Sequence, residues 1–183
     1  MADIVLVTGG ARSGKSDYAM KRAEQIPGPR CFVATCEVRD REMAERVRKH
    51  RQQRDAAVWT TIEEPLDVAA VIERHDFAVY LVDCLTLWVS NIMAEYDRRG
   101  AVCGEDEIAV EMGAVMACAG AMKGTVVVVS NEVGMGIVPD NELARRYRDL
   151  VGVCNKMVAA AATEVVLVSC GLPLHIKQER KRQ

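Results

Sequence analysis

Val5-Leu6-Val7-Thr8-Gly9-Gly10-Ala11-Arg12-Ser13-Gly14-Lys15-Ser16 decides the fold. A short apolar run leads into G-x-x-x-x-G-K-S, and a polar helix start follows, which is the context a phosphate-binding loop requires. Glycines let the backbone wrap tightly around oxygens with its N–H groups turned inward. The N-terminus of the following helix adds positive potential. Lys15 is the residue type that bridges β- and γ-phosphates, and the Ser16 hydroxyl is the type that holds Mg²⁺.

Outward from the loop, five β-branched runs alternate with helical stretches. The runs are Ile4–Val7, Cys31–Ala34, Ala78–Val82, Thr125–Ser130 and Val165–Ser169. Each is almost continuously apolar, as expected of strands covered on both faces. Helices are expected near Lys15–Gln25, Asp40–Arg54, Leu66–Arg74, Leu85–Tyr96, Glu105–Met122 and Asn141–Ala162. This alternation predicts an α/β fold, a mostly parallel sheet flanked by helices, in one domain spanning residues 1–183. Ligands of such sheets bind at the carboxyl ends of the strands. Thr35-Cys36, Asp83 and Asn131-Glu132 fall there, with the loop itself. Asp97–Glu105 reads as an exposed loop, and the charged tail Gln178–Gln183 as frayed.

Half of the 183 residues are hydrophobic but only 4% are aromatic, so the core is aliphatic. Lys and Arg (24) nearly balance Asp and Glu (26), which argues against a nucleic-acid partner and makes any anion site local. No run is long enough for a membrane span, and no signal peptide precedes the first strand. The seven cysteines are an odd number without a C-x-x-C, and they read as reduced thiols. The expected location is cytoplasmic.

Asp83 closes the strand ending Tyr80-Leu81-Val82. It is either the carboxylate that orients Mg²⁺ beside a phosphate loop or an N-cap for the next helix, and its place at a strand end favours the first. If Asp40–Arg54 is helical, Met43, Val47, His50 and Arg54 share one face, with Arg46 one turn before His50. Two readings of His50 are open from the residues alone. It is a neutral, nucleophilic imidazole among arginines suited to attack a phosphate, or a histidine on the apolar edge of a basic solvated helix, the commoner arrangement. His75 reads as solvated, and His175 has no evident role. Asn155-Lys156-Met157-Val158 lacks the carboxylate that a guanine-reading N-K-x-D needs, and reads as helix. Asn131–Pro139, with two glycines and a proline, reads either as a pocket wall or as an ordinary connection. Arg145, Arg146 and Arg148 open the next helix and read as solvated.

Together these segments resemble the bifunctional adenosylcobinamide kinase / adenosylcobinamide-phosphate guanylyltransferases of cobalamin synthesis. The resemblance is carried by TGGARSGKS (Thr8–Ser16), Ala34-Thr35-Cys36, DREMAERVRKH (Asp40–His50), WTTIEEP (Trp59–Pro65), VDCLTLWVSN (Val82–Asn91), SNEVGMGIVP (Ser130–Pro139), Asn141–Asp149 and Val165–Lys177. It spans nearly the whole chain. The phosphate loop is shared by many kinases and ATPases, whereas SNEVGMGIVP with E-M-A-x-R-x-x-x-H is far more specific.

The resemblance implies a P-loop NTPase domain of RecA-like strand order. It implies that adenosylcobinamide is phosphorylated with ATP or GTP. A histidine then takes GMP from GTP and passes it to adenosylcobinamide phosphate. His50 falls on the guanylylated histidine, which reverses the order of its two readings. Lys49 stands where relatives often carry a second histidine. Catalytic roles thus fall on His50 and Lys15. Nucleotide contacts fall on Gly9, Gly10, Ala11, Arg12, Ser13, Gly14, Lys15 and Ser16, on Ala34, Thr35 and Cys36, on Arg51, Gln52, Gln53 and Arg54, and on Glu63 and Asp83. Mg²⁺ falls to Ser16 and Asp83. Asp83 is one methylene shorter than the family's usual Glu. One residue is inserted between Arg54 and Trp59, and Glu63 is taken over Glu64. The family's members are trimers, so a homo-oligomer is implied. Two other readings use the same loop: a small-molecule kinase without guanylyltransferase activity, and a nucleotide-binding regulatory module without turnover.

Overall fold

Seven strands form a single sheet in the order β3-β2-β4-β5-β1-β6-β7 in the computed structural model, which describes residues 2–37, 45, 55 and 57–178. In chain order the described elements are β1 (Asp3–Gly9), α1 (Lys15–Glu24), β2 (Arg30–Ala34), β3 (Trp59–Glu63), α2 (Val68–Arg74) and β4 (Val79–Asp83). Then come α3 (Leu85–Arg98), α4 (Glu105–Ala121), β5 (Thr125–Asn131), α5 (Glu142–Ala161), β6 (Glu164–Ser169) and β7 (Leu172–Gln178). Every pairing is parallel except β6 with β7. This is the α/β, mostly parallel architecture that the alternation of runs predicts.

The strands β1, β2, β4, β5 and β6 are largely apolar because both faces are buried. Tyr80 and Val82 of β4 face a cluster with Trp88 of α3, Met112 of α4 and Leu150 and Val158 of α5. Val79 and Leu81 face the other way, against Phe32, Trp59 and the small Ala19 and Ala23 of α1. The polar tips of the buried aromatics are satisfied: Trp88 Nε1 donates to Leu66 O at 2.7 Å and Tyr80 OH to His75 O at 2.6 Å. Burial pushes the Cys31 and Cys154 thiols up to about 12, so these cysteines behave as packing groups. Among the described residues no helix is long and apolar enough to cross a membrane.

Two strands carry no run that marks them in the sequence. β3 exposes Thr60 and Thr61, and β7 is exposed along nearly its whole length and holds Pro173. Both are edge strands, half paired and half wet, where polar residues and proline are tolerated. The helix expected from Leu66 begins at Val68, because the Asp67 side chain accepts from Ala70 N at 3.0 Å and caps it. The expected loop at Asp97–Glu105 shortens at both ends, since α3 runs through Arg98 and α4 starts at Glu105. The expected helix Asp40–Arg54 lies outside the described residues except for Glu45. The tail beyond Gln178 also lies outside them.

Candidate functional site

β1 delivers the chain to the loop at Gly9, where no side chain fits. A Cβ there would stand 2.3 Å from Val168 O and 2.7 Å from Ser13 Oγ. Gly14, at φ 89°, takes the left-handed conformation and caps α1, and Tyr18 N donates to its carbonyl at 3.0 Å. The loop is closed internally by Ser13 N to Gly10 O at 3.2 Å. Glu132 N, just past β5, holds Gly9 O at 3.0 Å. Lys15 is 9% exposed, and its ammonium donates to Gly10 O at 3.1 Å.

A cavity of about 620 Å³ opens over this loop at the carboxyl ends of β1, β2, β4 and β5, where α/β sheets place their ligands. Its wall carries the loop from Ala11 to Ser16, with Asp17, from the sheet Phe32, Ala34, Asp83 and Asn131, and Cys36 just past β2. Cys84, Thr86 and Leu87 at the start of α3 and Tyr147 of α5 complete it. Burial lowers the Lys15 ammonium below its usual range, opposed by Cys84 and then Asp83. Burial, followed by Asp83, pushes the Cys84 thiol up to about 11. At neutral pH the thiol is therefore uncharged, and Asp83 is the anion that faces the ammonium. A cation, a glycine-rich loop backbone, a hydroxyl and a carboxylate on one wall can receive a polyphosphate with a divalent ion. Cys84, not Asp83, occupies the N-cap of α3, so the capping alternative for Asp83 is not realised.

Of the residues expected on the nucleotide, Ala11, Arg12, Ser13, Gly14, Lys15, Ser16, Ala34, Cys36 and Asp83 meet at this cavity. Gly9 and Gly10 are not part of its wall; their carbonyls hold Glu132 N, Ser13 N and the Lys15 ammonium. Thr35 is fully buried and turned away: its hydroxyl donates to Cys84 O and accepts from Cys84 N, both at 2.8 Å. Asn91 Nδ2 donates to Thr35 O at 2.8 Å and to Pro65 O at 3.1 Å. These bonds pin the end of β2 to the end of β4 and set the spacing of Ala34, Cys36 and Asp83. Thr35→Val leaves the Cys84 N–H without its partner, while Cys84 O keeps Trp88 N at 3.1 Å, and is expected to lower stability by about 1–3 kcal/mol, read from a urea transition, with Thr35→Ser close to wild type.

Glu63 ends β3 and is exposed, paired across to Ala34. Glu64 is committed to the turn, its Oε1 accepting from Leu66 N and Asp67 N, both at 2.9 Å. His50, Arg51, Gln52, Gln53 and Arg54 lie outside the described residues.

Arg145 donates to the carbonyls of Pro139 and Asp140, and Arg148 pairs with Asp149 at 2.9 Å, so both fix local structure. Asn155 lies in α5, where its Nδ2 holds Asn131 O at 3.2 Å and its Oδ1 accepts from Ser130 Oγ. Of the loop Asn131–Pro139, Asn131 reaches the cavity wall, whereas Met135 and Ile137 are exposed. Phe32, Thr86, Leu87 and Tyr147 were not singled out by the sequence. Asn131 Nδ2 donates to Thr86 Oγ1 at 2.9 Å, and Tyr147 OH donates to Thr86 O at 3.2 Å across 61 positions of chain. Such a convergence has no local signature.

A family model described as cobinamide kinase / cobinamide phosphate guanyltransferase matches residues 5–176. A Pseudomonas aeruginosa protein described as bifunctional adenosylcobalamin biosynthesis protein CobP is 39% identical over 181 residues, 98% of this chain and 99% of that one. The Escherichia coli bifunctional adenosylcobalamin biosynthesis protein CobU is 39% identical over 185 residues, covering 95% of this chain and 99% of its own. Among solved structures, the KaiC-like protein PH0186 of Pyrococcus horikoshii OT3 covers 90% of this chain and 70% of its own at 15% identity, with a TM-score of 0.46.

Proposed function

The chain belongs to the cobinamide kinase / cobinamide phosphate guanyltransferase family, and on that premise we propose that one triphosphate cradle serves two successive transfers to a cobinamide. In the first, the aminopropanol hydroxyl of adenosylcobinamide attacks the γ-phosphorus of ATP or GTP, and the bond from that phosphorus to the β,γ-bridging oxygen breaks. In the second, an imidazole nitrogen of His50 attacks the α-phosphorus of GTP and pyrophosphate leaves. A phosphate oxygen of adenosylcobinamide phosphate then displaces the histidine, which gives adenosyl-GDP-cobinamide and free imidazole.

The observation that carries the reading is the cavity wall on which Lys15, Ser16, the rest of the loop from Ala11 and Asp83 meet. Phosphoryl transfer needs little covalent help, so positioning and charge neutralisation by these groups are what the step requires. The Ser16 hydroxyl and the Asp83 carboxylate are hard oxygen donors on one wall, and they fit Mg²⁺. Bound there, the ion would neutralise charge developing between the phosphates. Arg51, Gln52, Gln53, Arg54 and Glu63 are assigned to the nucleotide by the family pattern.

A cytoplasmic homotrimer is part of the proposal. Seven free thiols favour a reducing compartment. Large apolar side chains in the open, Ile137 at 97% and Leu172 at 71% exposed, favour cover by another copy.

The test is direct. Adenosylcobinamide incubated with the protein and GTP is expected to gain one phosphoryl group and then one GMP, followed by mass spectrometry. Arrest at the phosphorylated product would leave the small-molecule kinase reading. Failure to consume nucleotide in the presence of cobinamide would leave the regulatory module.

A further inference from the structure

β6 and β7 are joined by Cys170-Gly171, with φ of 52° and 79°. Both central residues are left-handed, as the tightest hairpin turns require. Because β6 runs parallel to β1, this turn stands beside the phosphate loop. Gly171 N donates to Ser13 O at 2.9 Å. A Cβ on Gly14 would come within 3.4 Å of Gly171 Cα, and a Cβ on Gly9 within 2.3 Å of Val168 O. The first glycine of the loop, its last glycine and Ser13 therefore all rest on the hairpin. The far end of α1 is held by the same hairpin. Arg22 of α1 binds Glu164 Oε2, at the start of β6, through Nε and Nη2 at 3.1 and 3.0 Å. His175 Nδ1 of β7 lies 3.4 Å from Glu164 Oε1.

The bond to Ser13 O has a directional consequence. In a trans peptide the C=O of one residue and the N–H of the next point to opposite sides. Holding the Ser13 carbonyl toward the hairpin therefore turns the Gly14 N–H away from it, toward the side where Gly14 lines the cavity. We propose that Gly171 is a positioning residue for triphosphate binding: its N–H fixes the Ser13–Gly14 peptide, and so aims the Gly14 amide at the phosphates. The proposal rests on the loop being the triphosphate site. It is independent of the cobinamide and of His50.

The test uses the full chain and GTP as probe, by calorimetric titration. A Cβ on Gly171 would meet nothing within 4 Å, so a substitution there acts through backbone conformation and not through a clash. Gly171→Val disfavours the left-handed turn, and Gly171→Asn tolerates it, while both keep the N–H. Gly171→Val is expected to raise the Kd for GTP about fivefold, the factor of one neutral hydrogen bond. Gly171→Asn is expected to stay within about twofold, since asparagine adopts the left-handed region at little cost. A Gly171→Val protein that melts earlier but binds GTP as wild type does would overturn the proposal. If that variant does not fold, Gly171→Ala is read against the same criterion. Wild-type protein that binds no GTP would strike down the functional reading, and this proposal with it.

Discussion

Lys15→Ala is expected to lower the rate of cobinamide phosphorylation by about 10²–10³, the usual cost of removing one preorganised charge partner from a transferring phosphoryl group. The same substitution is expected to weaken GTP in the guanylyl step, because on the proposed reading both reactions draw on one cradle. Lys15 is 9% exposed, its ammonium is already directed at Gly10 O inside the loop, and Asp83 stands on the same cavity wall. A folding defect is not expected to accompany the loss. Burial lowers the Lys15 pKa below its unfolded value, so its charge opposes folding at neutral pH, and that cost is relieved only as pH rises through the lowered folded pKa. Removing the charge therefore lifts a penalty while opening some empty space. Nucleotide titration and thermal melting separate the two effects: Kd rises steeply and Tm holds. Lys15→Arg is not expected to rescue, because a planar guanidinium does not replace a compact ammonium in a closed loop. Unchanged GTP affinity in Lys15→Ala would mean that the triphosphate lies elsewhere.

What was legible in the sequence follows the range of the interactions that build it. The phosphate loop is a local object. Its glycines, its lysine and the strand before it lie within twelve residues, Val5 to Ser16, and their order alone specifies the turn. The central strands are legible because burial on both faces leaves unbroken apolar runs. Asp83 and Cys36 were legible because each ends a strand or follows one, where the fold places ligands, whereas Ala34 follows only from the family resemblance. β3 and β7 were not, since an edge strand is made by its pairing and not by its burial. Thr60, Thr61 and Pro173 contradict the apolar pattern while sitting comfortably on an edge. Thr35 shows a different limit. The family pattern assigns it to the nucleotide, and its place after β2 suits that, but only the atomic contacts reveal a hydroxyl spent on both backbone groups of Cys84. Tyr147, Thr86 and Phe32 reach the cavity from a distant helix, the first turn of α3 and the middle of β2. No spacing rule relates them.

His50→Ala is expected to abolish the transfer of GMP while sparing most of the phosphorylation of cobinamide, the largest separation of the two activities that a single change can produce. On the proposed reading the phosphoryl step relies on Lys15, Ser16, Asp83 and the loop backbone, none of which the substitution changes. The guanylyl step needs a nucleophile that stores the activation of the broken anhydride, and a phosphoramidate on imidazole does so. The nucleophile must be neutral, so labelling from α-³²P-GTP should fall in acid, where imidazole takes up a proton. Phosphorylation of cobinamide has no such requirement and is expected to follow a different pH profile. The bond formed also has a diagnostic chemistry: a phosphoramidate label is lost in acid and kept in base, the reverse of an acyl phosphate. Neighbouring arginines in the DREMAERVRKH segment and the Arg51–Arg54 stretch would offset charge on the departing pyrophosphate. Arg54→Ala should therefore slow labelling by about 10-fold or more without removing it, since a charge partner is lost and the nucleophile remains. Normal α-³²P labelling of His50→Ala would place the nucleophile on another side chain. An unlabelled wild-type protein that still phosphorylates cobinamide would reduce the cradle to a single transfer.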